Sequence, residues 1–207
     1  MIHAARITHL TSAPPAGDGN YVLYWMQQSQ RTEYNHALSF ASDKADELNL
    51  PLVVGFVLIP DFPEANLRHY RFLLQGILDV REDLERLGIP FVLLKGEMLT
   101  SVLSLSQGAA WVVTDAGYLR VQRNWRAQVA ENLSRPFTVV ESDIIVPVAS
   151  ASEKQETAAR TIRPKLARVK DAFLDAPPAP RGNGYPEKLP GEAAKALHPE
   201  DLLAGYS

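Results

Sequence analysis

Short runs of consecutive apolar residues alternate along the chain with longer segments whose apolar residues recur every three or four positions. A continuous apolar run of about four to eight residues is typical of a strand buried on both faces, whereas the longer spacing is typical of an amphipathic helix. The pattern predicts strands at residues 21–26, 52–59, 91–94, 110–114 and 137–140, and helices at residues 32–48, 70–87, 97–106 and 118–133.

This alternation of strand and helix predicts an α/β fold. Apolar strands joined by helical crossovers form parallel sheets that helices cover on both faces. Because such crossovers are right-handed, we expect a doubly wound, Rossmann-like parallel sheet of about five strands. Residues 144–146, Ile-Ile-Val, are expected either to extend this sheet or to run along its edge.

Composition divides the chain into four segments. Residues 1–19 include a Pro- and Gly-rich run and are expected to form an N-terminal loop segment, and residues 20–150 form the α/β domain. Residues 151–175 are expected to form a basic helical extension. Residues 176–207 are expected to form a Pro-rich linker or tail, because five prolines lie between positions 176 and 190. We expect this tail to be dispensable for folding.

Charge and cysteine content restrict the functions that this protein can have. The formal net charge is −3, whereas a protein that binds DNA mainly through phosphates is usually basic, so we expect this chain to bind DNA weakly if at all. The sequence contains no cysteine, which excludes disulfides, thiolate metal sites and a cysteine nucleophile. No apolar run is long enough to span a bilayer. These features favour a cytoplasmic protein without membrane contact.

The usual motifs of nucleotide-binding and hydrolytic α/β proteins are missing. The sequence has no G-x-x-x-x-G-K-[ST] loop, no G-x-G-x-x-G turn after a strand and no G-x-S-x-G elbow. The five histidines show no H-x-x-x-H metal spacing. The residues therefore predict neither a catalytic group nor a metal site.

A ligand site is expected where the predicted strands end, because open parallel sheets bind ligands at the carboxyl edge. Polar residues follow the first, second and fourth strands there. Their alternative role is to cap the next helix or to anchor the loops. The candidate cofactor-binding residues are Met26, Gln27, Gln28, Arg31, Asp61, Asp115 and Tyr118.

Arginines and tryptophans have ambiguous roles in this sequence. Arg120, Arg123 and Arg126 share a broad helix face, which is either solvated or a docking surface for another domain. Trp25 and Trp125 are expected to pack in the core. Within the first helix, His36 is expected to have a hydrogen-bonded packing role, with ligand binding as the alternative.

Five ordered blocks of residues carry a resemblance to a known family. The first is residues 21–38, which form the predicted first strand and the start of the first helix. The later blocks are Pro63-Glu64-Ala65-Asn66 with Arg68-His69-Tyr70, Asp115-Ala116-Gly117-Tyr118-Leu119-Arg120 with Trp125-Arg126, Glu141-Ser142-Asp143 with Val146-Pro147-Val148, and Thr161-Ile162-Arg163-Pro164-Lys165. Together they resemble the N-terminal α/β domain of class II cyclobutane-pyrimidine-dimer photolyases, over about Tyr21 to Leu174.

This resemblance implies a light-dependent DNA-repair enzyme with two domains. The α/β domain of such an enzyme holds an antenna chromophore, a deazaflavin in some members, and a helical domain binds FAD and DNA. No counterpart of the helical domain is recognised here, so FAD is not expected to bind and the chain alone is expected to be inactive. Its expected partner is a separate or missing helical FAD-binding domain. The alternative is a repair-inactive ligand-binding or protein-interaction module.

Overall fold

A six-stranded sheet forms the centre of the protein. The computed structural model describes residues 1–11, 13–187 and 197–204. The strand order is β1-β6-β5-β2-β3-β4, with every neighbouring pair parallel except β1 and β6. The strands are β1 (Ile7–His9), β2 (Tyr21–Met26), β3 (Leu52–Leu58), β4 (Phe91–Lys95), β5 (Ala109–Asp115) and β6 (Phe137–Val140).

Helices cover both faces of the sheet, which confirms the predicted doubly wound α/β fold. Helices α1 and α2 pack on one face, and α3 and α4 pack on the other. The helices are α1 (His36–Leu48), α2 (Leu67–Arg86), α3 (Met98–Ser106), α4 (Arg120–Asn132), α5 (Val148–Ala151), α6 (Ala159–Val169) and α7 (Pro199–Ala204). Among the described residues, no helix is long and apolar enough to cross a membrane.

The central strand β2 is apolar throughout because it is buried on both sides. Val22, Tyr24 and Met26 point into the core beneath α1 and α2. Leu23 and Trp25 point into the core beneath α3 and α4. This alternation follows from the two-residue period of a strand, and it makes β2 the element that both cores share.

Helix α1 begins later than the hydrophobic pattern predicts. The pattern places the start at residue 32, whereas the helix starts at His36. Asn35 is the N-cap, and its side-chain oxygen accepts the backbone N–H of Leu38 at 3.0 Å. Residues 27–34 thus remain free to form a loop at the end of β2, which matters for the site described below.

The N-terminal segment is not only a loop. It contains a 3-10 helix, Ala4–Arg6, and strand β1, which adds an antiparallel edge to the sheet through pairs such as Thr8 with Val139. A three-residue strand is too short to give a clear periodic signal, so composition alone predicted a loop. This strand also accounts for the sixth strand beyond the five expected.

Residues 144–146 do not extend the sheet. The guanidinium of Arg6, which is only 3% exposed, donates hydrogen bonds to the backbone carbonyls of Ile144 at 2.8 Å and Ile145 at 2.6 Å. These bonds hold the backbone of residues 144 and 145 against the N-terminal segment. Of the two expected roles, extension of the sheet is therefore wrong, because a buried arginine from the N-terminus holds the segment as a loop.

Within the described part of the Pro-rich segment, residues 178–181 lie against α1 and helix α7 packs on α2. Ser42 Oγ accepts the backbone N–H of Arg181 and donates to its carbonyl, both at 3.1 Å. Ser39 Oγ donates to the carbonyl of Pro178 at 2.6 Å, and Arg181 Nε donates to Asp46 at 2.8 Å. Residues 188–196 and 205–207 of the expected tail lie outside the described residues. The contacts at 178–183 give the segment anchors that its composition did not indicate.

Ser42→Ala should therefore lower the free energy of unfolding by about 1–2 kcal/mol, because the substitution removes both hydrogen bonds to Arg181. The variant should also be cleaved faster by trypsin after Arg181. Urea unfolding and a timed digestion measure the two effects. Ser104→Ala, on a different helix, is the control. Equal digestion rates for Ser42→Ala and wild type would show that the segment is not anchored there.

Candidate functional site

The carboxyl ends of β2 and β5 meet around one buried carboxylate, that of Asp115. Its Oδ1 accepts the hydroxyl of Tyr24 at 2.8 Å and the backbone N–H of Gln27 at 2.9 Å. Its Oδ2 accepts the backbone N–H groups of Gln28 at 2.6 Å and Ser29 at 3.0 Å. Because Asp115 has no exposed surface, these donors replace the water that the carboxylate loses. The carboxylate therefore fixes the course of the loop after β2.

Asn35 extends this network to α1. Its Nδ2 donates to the Tyr24 hydroxyl at 3.1 Å and to the backbone carbonyls of Ser29 at 3.0 Å and Arg31 at 2.9 Å. Burial raises the pKa of Asp115 above the ordinary aspartate range, and the hydrogen bonds donated to the carboxylate oppose that rise. One asparagine thus joins the strand, the loop and the helix.

The loop after β6 holds the same region from the other side. Asp143 Oδ1 accepts hydrogen bonds from the Ser29 hydroxyl and from Arg31 Nη1, both at 2.7 Å. Arg31 Nη2 also donates to the backbone carbonyl of Ser142 at 2.9 Å. The guanidinium of Arg31 is therefore occupied by protein groups.

A cavity of about 390 Å³ opens beside the loop after β2. Phe56, Phe62, Tyr70 and Trp125 line it, and the rings of Phe62 and Trp125 meet edge to face with 6.2 Å between centroids. The Tyr70 hydroxyl is fixed by donation to the Pro60 carbonyl at 2.6 Å. A cleft of this size with aromatic walls suits a planar ring.

Apart from the Tyr70 hydroxyl and the Trp125 indole, the polar side chains in the cavity wall are four amides and one imidazole. They belong to Gln27, Gln28, Gln30, Gln122 and His69. Among the described residues, no aspartate, glutamate, lysine or arginine lines the cavity. Gln122 Nε2 donates to Gln28 Oε1 at 2.6 Å, so these two side chains support each other. The wall offers hydrogen bonds mainly from neutral amides, which favours an uncharged ligand group.

The structure brings three of the seven candidate residues to the cavity. Met26, Gln27 and Gln28 line it, as expected for residues at the end of the first buried strand. Arg31 and Asp115 do not line it, because both side chains are held within the loop network. Asp115 is thus placed to organise the site from behind.

The two remaining candidates lie elsewhere. Asp61 is exposed after Pro60, outside the cavity wall. Tyr118 is 44% exposed and lies outside the cavity wall. Both follow strands in the sequence, but the loops carry them away from the opening.

Several residues of the cavity wall were not predicted as site residues from the sequence. Trp125 was expected to pack in the core; it is partly buried and also lines the cavity, as does the buried Tyr70. Phe56 and Met98 sit in a strand and at a helix start, where an apolar residue ordinarily signals core. Phe62 could have indicated the cavity from the sequence, because an aromatic residue in a loop directly after a strand is unusual.

The three arginines of α4 do not share one environment. Arg120 and Arg123 are exposed, whereas Arg126 is partly buried. Arg126 Nη2 donates to the Gly117 carbonyl at 2.6 Å, and its Nη1 lies 3.4 Å from Gln27 Oε1. Arg126 therefore belongs to the site, unlike the two outward arginines.

Asp115→Ala should lower the free energy of unfolding by about 3 kcal/mol or more, because it leaves the donors of Tyr24, Gln27 and Ser29 buried without an acceptor. This differs from the role of a ligand contact, whose loss would leave the fold intact. Denaturant unfolding measures the effect. Asp61→Ala, at the end of the neighbouring strand but exposed, should change stability by less than about 0.5 kcal/mol. Similar stabilities for the two variants would contradict this assignment.

His36, at the start of α1, should make stability depend on pH. Burial, followed by the positive charges of Arg6 and Arg31, lowers the pKa of His36 to about 4. The unfolded chain binds this proton near pH 6.5 and the folded chain does not, so stability should fall as the pH drops from about 7 to 4.

His36→Gln should flatten that pH dependence, measured by urea unfolding at several pH values. His198→Gln, which changes an exposed histidine, should leave it unchanged. If the slopes of wild type and His36→Gln agree, His36 is not the titrating group.

Comparison with known proteins gives the relatives of this chain. The DNA photolyase family model matches residues 22–181. The deoxyribodipyrimidine photo-lyase of Methanothermobacter thermautotrophicus is 46% identical over 174 residues, covering 84% of this chain and 39% of that protein. The deoxyribodipyrimidine photo-lyase of Potorous tridactylus is 41% identical over 149 residues, covering 70% of this chain and 28% of that protein. The chain thus spans less than half the length of these two relatives.

Solved structures share the fold at low sequence identity. An archaeal photolyase from Sulfolobus tokodaii, crystallised with two FAD molecules, superposes with a TM-score of 0.70 at 14% identity, covering 89% of this chain and 41% of that one. A class III photolyase from Agrobacterium tumefaciens superposes with a TM-score of 0.66 at 16% identity, covering 93% of this chain and 40% of that one. Because the family model matches residues 22–181 and a relative at 46% identity covers 84% of the chain, this protein belongs to the DNA photolyase family.

Proposed function

We propose that this chain forms the antenna-binding and docking domain of a class II cyclobutane-pyrimidine-dimer photolyase, in light-dependent DNA repair. The observation that carries the antenna role is the cavity of about 390 Å³ at the carboxyl edge of the sheet, whose wall is made mainly of aromatic rings and neutral amides. The class II assignment rests on the five sequence blocks, of which the first forms β2, its loop and the start of α1. A cytoplasmic location is consistent with this role.

The cavity suits a deazaflavin-type chromophore. Such a ring is planar and offers carbonyl and ring-nitrogen groups at its edges, while its faces are apolar. Phe56, Tyr70 and Trp125 supply apolar wall area, and Gln27 and Gln28 supply amide groups. The ring would absorb light there, and the protein would contribute orientation and exclusion of water. The Sulfolobus tokodaii photolyase is described with a novel light-harvesting cofactor and two FAD molecules, so flavins belong among the ligands to test.

The partner we propose is a helical FAD-binding domain, which would carry the repair chemistry and the DNA contact. Exposed apolar side chains lie on the segments that follow β5 and β6, namely Leu119 at 59%, Ile145 at 58% and Val148 at 53%. Apolar residues exposed in such numbers favour a protein contact over a solvated surface. The exposed Arg120 and Arg123 border this region in sequence and would complement an acidic partner.

Binding of a tricyclic ring tests the antenna role. Riboflavin and 5-deazariboflavin should bind the purified chain, with quenching of tryptophan fluorescence because Trp125 lines the cavity. Ala65→Phe, which places a ring in the cavity, should weaken binding at least about tenfold, since a filled cleft leaves no room for the ligand.

Ala127→Phe is the matched control, because Ala127 is exposed on α4. It should bind like wild type, and both variants should keep the far-ultraviolet circular dichroism of wild type. Binding that is absent in wild type, or unaffected by Ala65→Phe, would refute the antenna role in this cavity.

A further inference from the structure

One amide in the cavity wall has an unsatisfied donor. Gln27 is only 8% exposed, and its Nε2 is shielded from solvent with no hydrogen-bond partner among the residues that the structure describes. Native proteins rarely leave a buried donor unpaired, because the group loses its hydration without replacement. Gln27 lines the cavity, so a ligand bound there could bring the acceptor that this donor lacks.

The orientation of this amide is set by Arg126. A guanidinium has donors only, so the Gln27 oxygen must face it, and Oε1 lies 3.4 Å from Arg126 Nη1. The Nε2 group is thereby turned away from Arg126. Arg126 is itself held by donation to the Gly117 carbonyl at 2.6 Å. The reverse orientation of the amide would place two donors against each other.

The backbone of Gln27 is fixed as well. Its N–H donates to Asp115 Oδ1 at 2.9 Å, and its carbonyl accepts Gln30 Nε2 at 3.0 Å. The donor of Gln27 is therefore preorganised by the same buried carboxylate that shapes the loop. Other cavity amides differ, because the Nε2 groups of Gln30 and Gln122 already donate to protein acceptors.

We propose that Gln27, oriented by Arg126, is the specificity-determining residue of the cavity and donates a hydrogen bond to a carbonyl oxygen or ring nitrogen at the edge of an uncharged heteroaromatic ligand. This inference rests on the proposed antenna function and deepens it. The cavity then selects rings by an acceptor-bearing edge as well as by shape. A tricycle without such an edge leaves the Gln27 donor unpaired and binds less tightly.

Two ligands and two variants test this role. Riboflavin has an edge with carbonyl and ring-nitrogen acceptors, and anthracene is a planar tricycle without any hydrogen-bond acceptor. Gln27→Met keeps the length of the side chain and removes the donor, so it should weaken riboflavin binding about five- to tenfold and leave anthracene binding nearly unchanged. Gln27→Glu places an acceptor-only carboxylate at the same position and should weaken riboflavin binding further.

An infrared readout separates a hydrogen bond from a packing effect. The carbonyl stretching bands of bound riboflavin should lie at lower frequency in wild type than in Gln27→Met, because a donated hydrogen bond weakens the C=O bond. Gln75→Met, at an exposed position on α2, is the matched control and should behave like wild type with both ligands. Thermal melting confirms that each variant is folded.

The outcomes distinguish this inference from the function on which it rests. If wild type binds neither ring, the antenna function fails and this role fails with it. If wild type and Gln27→Met bind riboflavin equally, or if the variant weakens both ligands by the same factor, the antenna function stands and the role of Gln27 is overturned. Selective loss of riboflavin, together with the shifted carbonyl band, supports the role.

Discussion

The buried carboxylate of Asp115 is the interaction on which this end of the molecule depends. It collects three successive backbone N–H groups from the loop after β2 and the hydroxyl of Tyr24. A fully buried carboxylate is unfavourable unless donors surround it, and a loop that leaves a buried strand needs acceptors for its N–H groups. The loop N–H groups supply the donors that the carboxylate needs, and the carboxylate supplies the acceptor that these N–H groups need. The loop therefore takes one conformation beside the cavity.

The cavity is a consequence of that loop and of the sheet order. Strands β2 and β3 are neighbours and parallel, so their carboxyl ends lie side by side. Asp115 draws the loop after β2 towards β5, the neighbour on the other side, which leaves space above β3. Helices α2 and α4 then bring Tyr70 and Trp125 to that space from opposite faces of the sheet. The result is a cleft with apolar walls and a rigid polar rim.

Segments distant in sequence stabilise this arrangement. The N-terminal Arg6 holds the loop after β6 through Ile144 and Ile145, and that loop presents Asp143 to Arg31 and Ser29. Residues 178–183 lie along the outer side of α1, the helix whose cap, Asn35, belongs to the Asp115 network. The candidate site is thus supported by the N-terminal segment and by residues 178–183, although neither segment lines the cavity.

The sequence determined the fold class, because five strands appear as continuous apolar runs and four helices as segments with apolar residues every three or four positions. It also located the polar loop after β2, since a strand that is apolar throughout must end where polar residues begin. It did not determine β1 or the conformation of residues 144–146, because a three-residue edge strand has little periodicity and the carbonyls of 144 and 145 are claimed by Arg6. It predicted neither the anchoring of residues 178–183 nor the wall residues Phe56, Met98 and Trp125. Such choices depend on which distant groups meet, and an apolar side chain in a core and one in a cavity wall look alike until the tertiary structure places them.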